Sequence, residues 1–154
     1  LRAEDFKVAL TRLCDPRLAS PVYSTLASFI SGMAECSDLI RTEISRLEDE
    51  ARRAGREVDS HPVLPDYRAL PLAGVELLGE DSFKIILSRK YPQLTYWLAM
   101  HFFAPIPWEA LAFYHEPAVI DARLSFKNWP VGTGAYQMAS CRPEDHIILE
   151  RNPG

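Results

Sequence analysis

The chain has 154 residues, of which 47% are hydrophobic and 25% charged, and its net charge is −4. This is one domain's worth of ordinary globular composition, long enough to bury a sizeable core. Charges of both signs are interspersed with no basic stripe, and no apolar run approaches the roughly 18 residues of a membrane span, so neither nucleic-acid binding nor membrane insertion of this segment is expected.

Residues 3–14 read as a helix, with Phe6, Ala9, Leu10 and Leu13 on one face at the i, i+3, i+4, i+7 spacing of an amphipathic element. Glu4 and Asp5 suit its first turn, and Asp15-Pro16 ends it. No signal-peptide pattern is read at the start of the sequence, and because Leu1-Arg2-Ala3-Glu4-Asp5 already reads as the first turn of a helix, the chain is expected to be a piece of a longer protein. Ser20 as N-cap and Pro21 at the first helical position open a second helix, burying Leu26, Phe29, Ile30 and Met33. Gly32 weakens its last turn.

A third, highly charged helix is expected over 37–54, capped by Ser37 or Asp38 and stopped by Gly55. Its narrow stripe of Ile40, Ile44, Leu47 and Ala51 suits a helix packed along one edge of a core, and also a partner-docking seam. Residues 58–74 have no periodicity and contain prolines at 62, 65 and 71, which reads as a loop crossing the surface. Residues 74–78 and 82–87 flank Gly79-Glu80-Asp81 and predict a β-hairpin, with Phe83, Ile85 and Leu87 on one face and Lys84 on the other. Pro92 opens a short helix carrying Leu94, Trp97 and Leu98. Pro107 opens another, with Trp108, Leu111 and Ala112, which Pro117 ends.

After a linker through Asn128, a second hairpin is expected: a strand from Ala135 with Tyr136 and Met138 alternating with Gln137, a connection over 140–145, and a return strand at 147–151. Helices mixed with antiparallel hairpins, without βαβ alternation, make the fold class α+β.

Chemistry finds little purchase. Cys14, Cys36 and Cys141 form no C-x-x-C pair and no disulfide framework, and read as buried or half-buried free thiols. The four histidines have no zinc-ligand spacing. His101 is expected to be hydrogen-bonded at the edge of the core, and His115-Glu116 to be solvated. No serine sits in a nucleophile elbow. No catalytic residue, metal ligand or cofactor is expected. The stretch from Asn128 to Tyr136 stands out: Gly132 and Gly134 can turn the backbone without a Cβ penalty, and Pro130 stiffens the approach. It suits a ligand cradle or a connector. Phosphate is disfavoured, because the lysine of a P-loop is missing and a strand, not a helix, follows.

Taken in order, several segments resemble one family. Ala3-Glu4-Asp5-Phe6, then Arg12-Leu13-Cys14-Asp15-Pro16, then Ala19-Ser20-Pro21 are similar to a run in bacterial extracellular solute-binding proteins of family 5, the oligopeptide- and dipeptide-binding components of ABC importers. The acidic turn and strand at Glu80–Leu87, the Tyr91-Pro92 helix and the Pro105-Ile106-Pro107 step look like that family's too. So does Pro130-Val131-Gly132-Thr133-Gly134-Ala135-Tyr136 beside Ile148-Leu149-Glu150-Arg151-Asn152-Pro153. The resemblance covers nearly everything except residues 37–72, which look like an insertion of variable length.

Three departures stand out. Ala135 replaces the proline usual before the tyrosine. Leu1-Arg2 stands where an N-capping threonine would be expected. Val22 separates Ser20-Pro21 from Tyr23, where the family often has an aromatic directly.

The resemblance implies a fragment of a type II periplasmic-binding-protein-like fold. Residues 1–127 would form a small α+β subdomain, and residues 128–154 a crossing turn and hairpin returning to the first lobe. Pro130, Gly132, Gly134 and Tyr136 would then be a structural turn, and Tyr23 a ligand contact. The intact protein would capture peptides or similar small solutes in the periplasm and deliver them to a membrane permease, without catalysis. Groups from an absent second lobe would be needed, so the fragment alone is expected not to bind. The alternative is a protein-interaction module using the 37–54 helix or the apolar stretch at 96–108.

Overall fold

A computed structural model describes residues 1–142 and 144–153. The chain divides into two compact units, Leu1–Trp108 and Glu109–Gly154.

In the first unit, α1 spans Ala3–Leu13. Arg2 offers no side-chain cap; instead the Arg2 N–H donates to the Asp5 carboxylate at 2.7 Å, and the Ala3 N–H donates to the Glu80 carbonyl at 2.7 Å. The missing threonine cap is thus replaced from inside the helix and from the hairpin turn. The buried arc is wider than the expected stripe: Ala3, Val8, Ala9, Leu10 and Thr11 are buried, while Phe6 and Leu13 are only half-buried. Phe6 stacks on Phe83 of the hairpin, with ring centroids 5.0 Å apart.

The second helix is shorter than expected. α2 covers Tyr23–Ala27, and Ser20-Pro21 lie in the turn before it, the Tyr23 N–H donating to the Ser20 carbonyl at 3.2 Å. α3 spans Met33–Arg53 and starts at Gly32 (φ 77°), not at Ser37 or Asp38. Gly32 therefore separates two helices, which is more than the weakening of a last turn. The reason is steric. An added Cβ at Gly32 would meet Ala73, and one at Gly74 would meet Ile30 and the Ser31 carbonyl. Two backbone segments pass so closely here that only glycine fits.

Beyond that crossing, β1 (Val75–Leu77) pairs antiparallel with β2 (Phe83–Ile85) in the register Val75↔Ile85, Glu76↔Lys84, Leu77↔Phe83. Glu76 and Lys84 form an ion pair on the exposed face. The other edge of β2's extension is covered by residues 29–31: the Ser31 N–H donates to the Ile86 carbonyl at 3.0 Å and the Ser88 N–H to the Phe29 carbonyl at 2.8 Å.

α3 ends as its sequence foretells. Gly55 is left-handed at φ 73°, its N–H reaches the Arg52 carbonyl, and the Arg56 N–H reaches the Ala51 carbonyl, a complete Schellman motif. Ile40, Ile44 and Ala51 are buried, so the stripe is core and not a free seam. The exposed side carries short-range ion pairs, with Arg46 between Glu43 (2.7 Å) and Glu50 (2.5 Å).

The aperiodic segment after Gly55 is a loop with many exposed residues, as expected, that also sends side chains into the core. Val63, Pro65, Tyr67 and Leu72 are buried. Tyr67 meets Trp108 edge-on at 6.5 Å, and the Arg68 guanidinium lies 4.6 Å over the Trp108 ring. Then α4 (Leu94–Leu98) precedes a 3₁₀ turn at His101–Phe103. His101 is exposed on that turn, its ring 5.5 Å from that of Phe102, and is not the core-edge histidine expected.

α5 runs Trp108–Tyr114 and α6 Pro117–Asp121. Pro117 thus does more than end α5. It occupies the first turn of a further helix that the periodicity does not reveal, because proline is as good a start as a stop. β3 (Tyr136–Arg142) and β4 (His146–Arg151) form the second hairpin, with Tyr136↔Arg151 and Arg142↔His146 at its ends and an irregularity between Met138 and Ser140. β3 extends into the expected 140–145 connection as far as Arg142, and β4 begins at His146, one residue before the expected return strand. Pro143 in that connection, and Gly154, lie outside the described residues.

Candidate functional site

Two concavities coincide with residues singled out from sequence, one in each unit. The first, about 360 Å³, lies between the end of α1 and the start of α3 and includes Tyr23, Ser20, Ser37, Asp38 and Arg41. Tyr23 is half-buried, its hydroxyl donating to the Met33 carbonyl at 3.4 Å. Arg41 is bound to Asp38 at 2.8 Å. Its walls therefore offer a phenol ring, hydroxyls and an exposed ion pair.

Beneath that pocket lies the strongest polar cluster of the unit. Asp15 is 2% exposed. It accepts the Tyr67 hydroxyl at 2.6 Å, the Arg17 backbone N–H at 2.9 Å and the Arg17 guanidinium at 2.7 Å. Arg17 also donates to the Val63 carbonyl at 2.9 Å. Burial alone would raise the Asp15 pKa, but the hydrogen bonds from Arg17 and Tyr67 outweigh it and hold the carboxyl below its ordinary value. Burial and the adjacent carboxylate push the Tyr67 phenol up. All of these groups are spent on each other. The cluster ties the 58–74 loop to the end of α1, and leaves no free acid or base for chemistry.

The second concavity, about 670 Å³, is in the other unit and is lined by the whole stretch from Trp129 to Ala135, with Tyr114 and Asn152. The Tyr114 hydroxyl donates to the Trp129 carbonyl. The Asn152 side chain donates to the Gly134 carbonyl at 3.0 Å, and its N–H to the Ala135 carbonyl at 3.0 Å. Pro130, Gly132, Gly134 and Tyr136 are all exposed. Neither Gly132 nor Gly134 takes a positive φ, and a Cβ would meet nothing at Gly132 and make ordinary contact at Gly134. The backbone bends at Gly134 and Ala135 without using the left-handed conformation that glycine permits. The path is held by Tyr114 and Asn152, and the obligatory glycines are at 32 and 74.

Among the described residues no group of three His, Cys, Asp or Glu could hold a metal, and no helix is long and apolar enough to cross a membrane. His115 Nδ1 lies 2.8 Å from the Leu111 carbonyl, and Glu116 caps α6 through its backbone. The β3–β4 hairpin is apolar and uncovered: Tyr136, Ile147, Ile148 and Leu149 are 67%, 64%, 51% and 54% exposed. At 96–108, Tyr96, Leu98 and Met100 are exposed and Phe103 is buried.

The model of bacterial extracellular solute-binding proteins, family 5 Middle, matches residues 1–154. The chain belongs to this family. The match includes residues 37–72, where α3 and the loop after it supply core side chains to this family 5 chain. Neither a curated protein nor a solved structure matches it. Family 5 members bind solutes on the extracytoplasmic side for ABC importers and carry out no catalysis, so this chain is not an enzyme.

Cys14 and Cys36 are free thiols, as their spacing in the sequence suggests. Both cysteines are buried.

Proposed function

We propose that this chain belongs to a periplasmic receptor that captures peptides or similar small solutes and passes them to the permease of an ABC importer. The observation that carries the reading is the family 5 match along all 154 residues. The matched family is described as a middle segment, and the apolar hairpin at 136–151 is uncovered; both support a segment completed by further chain. In this reading residues 1–127 form a small subdomain and residues 128–154 return to the first lobe. Pro130, Gly132, Gly134 and Tyr136 serve as the connector, and Tyr23 contacts solute from the 360 Å³ pocket. Capture is a hinge closure of two lobes, so one segment has half a cleft.

Calorimetry of this chain with a mixture of short peptides tests it. No heat is expected from the chain alone, and saturable heat from the intact receptor, weakened by Tyr23→Ala. Saturable binding to the chain alone would overturn the need for a second lobe. An intact receptor indifferent to every peptide would overturn the solute class. The docking-module alternative finds no support at 37–54, where the stripe is buried in the core.

A further inference from the structure

The pocket between the end of α1 and the start of α3 has walls of two kinds. Leu13, Pro16 and Ala34 give it apolar sides, with the Tyr23 ring among them. Along α3, Ala34, Ser37, Asp38 and Arg41 line it at the i, i+3, i+4, i+7 spacing of one helix face. That face runs from buried to exposed. Ser37 is 7% exposed, whereas the Asp38 and Arg41 side chains keep 74% and 63% of their exposure. Ser37 therefore lies at the deep end and the ion pair at the mouth.

Ser37 is unlike the other hydroxyl residues inside this helix. Thr42 donates to the Asp38 carbonyl at 3.0 Å and Ser45 to the Arg41 carbonyl at 3.1 Å, the common bond to the residue four positions back. For Ser37 that carbonyl belongs to Met33, and there the Tyr23 hydroxyl donates, at 3.4 Å. Among the described residues the Ser37 hydroxyl has no hydrogen-bond partner, and the pocket is where it can find one. A hydroxyl this deeply buried is costly to leave unpaired. An occupant of the pocket removes that cost by supplying a polar atom at its deep end.

We propose that this pocket takes a phenol, the side chain of a tyrosine in the captured solute, with its ring against Tyr23 and its hydroxyl bonded to Ser37. The inference rests on the reading that Tyr23 contacts solute, and it names the side chain recognised there. Asp15 is spent on Arg17 and Tyr67, and Asp38 is paired with Arg41 at the mouth, so a charged side chain would find no free counter-charge beside Ser37. An aliphatic side chain would leave the Ser37 hydroxyl unpaired. Serine and threonine are too short to fill about 360 Å³ and still reach the deep end. Glutamine brings two donors and an acceptor to a single hydroxyl, and gives up more rotamer freedom. A phenol fills the space with a rigid ring, carries one hydroxyl that donates or accepts, and pairs with Tyr23 as aromatic rings do. At the mouth, Asp38 engages one guanidinium nitrogen of Arg41, which leaves donors for main-chain carbonyls of a peptide.

The test titrates this chain with p-cresol and with toluene by NMR, and the intact receptor by calorimetry with tripeptides carrying tyrosine, phenylalanine or leucine at each position in turn. In the chain, p-cresol should shift the amide signals of Ala34 and Ser37 and bind about fivefold tighter than toluene, the worth of one net hydrogen bond. In the receptor, tyrosine should be favoured over phenylalanine at one position by a similar factor. Ser37→Ala puts the best helix former in place of the unpaired hydroxyl. It should erase both preferences and leave toluene and phenylalanine binding unchanged. Amide signals of Ala34 and Ser37 that do not move, p-cresol bound no tighter than toluene, or a Ser37→Ala variant that weakens both probes alike would each overturn the site. A receptor that binds tyrosine and phenylalanine peptides equally would overturn the phenol and leave peptide capture standing. A receptor that binds no peptide while p-cresol still fills the pocket would overturn peptide capture and leave the phenol site standing.

Discussion

The unit Leu1–Trp108 and the unit Glu109–Gly154 solve the problem of order in different ways. Among the described residues, the buried apolar side chains after Trp108 are Ala110, Leu111 and Val119; the rest, from Val8 through Ile40 to Phe103, belong to the first unit. The first unit is held by burial, close backbone crossings and a buried ionic cluster. In the second, β3 and β4 are registered by their ladder while most of their side chains, Tyr136, Ile147, Ile148 and Leu149 among them, are exposed. Burial stabilises by about 25 cal/mol per Å² of apolar surface removed from water, and an uncovered hairpin gains little of that. Substitutions should therefore be costly where the first unit is crossed and nearly silent along the second.

The sharpest break of that contrast is Asp15→Ala. It strands the buried Tyr67 hydroxyl and takes the carboxylate from the Arg17 guanidinium, and removing one partner of a buried pair costs about 3 kcal/mol at the lower end of the usual range. The lower end applies because the Arg17 side chain keeps 34% of its exposure. Tyr67→Phe should cost about 1 kcal/mol, the net worth of one hydrogen bond. Urea unfolding at neutral pH reads both; a loss below that of Tyr67→Phe for Asp15→Ala would remove the cluster from the account of unit stability. The same carboxyl sets a pH dependence. Its folded pKa is depressed, so its contribution is present above the unfolded value near 3.8 and fades as pH falls through the folded one. The urea midpoint should drop on acidification below that value, and drop less in Asp15→Asn.

Next in size is a pair of glycine substitutions. Gly74→Ala drives a methyl group into Ile30 and the Ser31 carbonyl, an overpacking that costs about 2 kcal/mol. Gly132→Ala has open space and no positive φ, and should change stability by less than about 0.5 kcal/mol. Thermal melts of the two variants compare them directly. Equal effects would mean that the stretch at 129–135 is as tightly determined as the crossing at Gly32 and Gly74.

These positions also show how far the sequence could be read. Both hairpins, the α1 and α3 amphipathic helices and the Gly55 stop were legible, because each repeats a period or uses residue chemistry that acts locally. The burial of Val63, Pro65, Tyr67 and Leu72 was not: single apolar residues in an aperiodic segment carry no phase, and what anchors their loop is Asp15, about fifty residues earlier in the chain. Gly32 and Pro117 each stand out in the sequence with one evident meaning, whereas a glycine can separate a pair of helices and a proline can both stop and start one. Of the candidate sites, Tyr23 and the 130–136 stretch could be named from motif order alone. Which residues close around them, such as Ser37 and Arg41 for Tyr23 or Tyr114 and Asn152 for Gly134, is a matter of tertiary contact.

A small effect of the opposite sign belongs to Ala135, where the family resemblance leads one to expect proline. Its carbonyl accepts the Asn152 N–H at 3.0 Å, an interaction that proline preserves because it keeps its carbonyl. The ring would restrict the unfolded chain, and proline at a compatible position stabilises by about 0.4–1 kcal/mol. Gly134 precedes it and has no Cβ to clash with the ring. Ala135→Pro should therefore raise the urea midpoint slightly and leave the slope of the transition unchanged. If stability falls, the Ala135 N–H is engaged or its φ is incompatible, and the second unit is then held at this point by more than Asn152. That result would narrow the contrast between the two units, since a turn intolerant of proline is locally determined in the way the Gly74 crossing is.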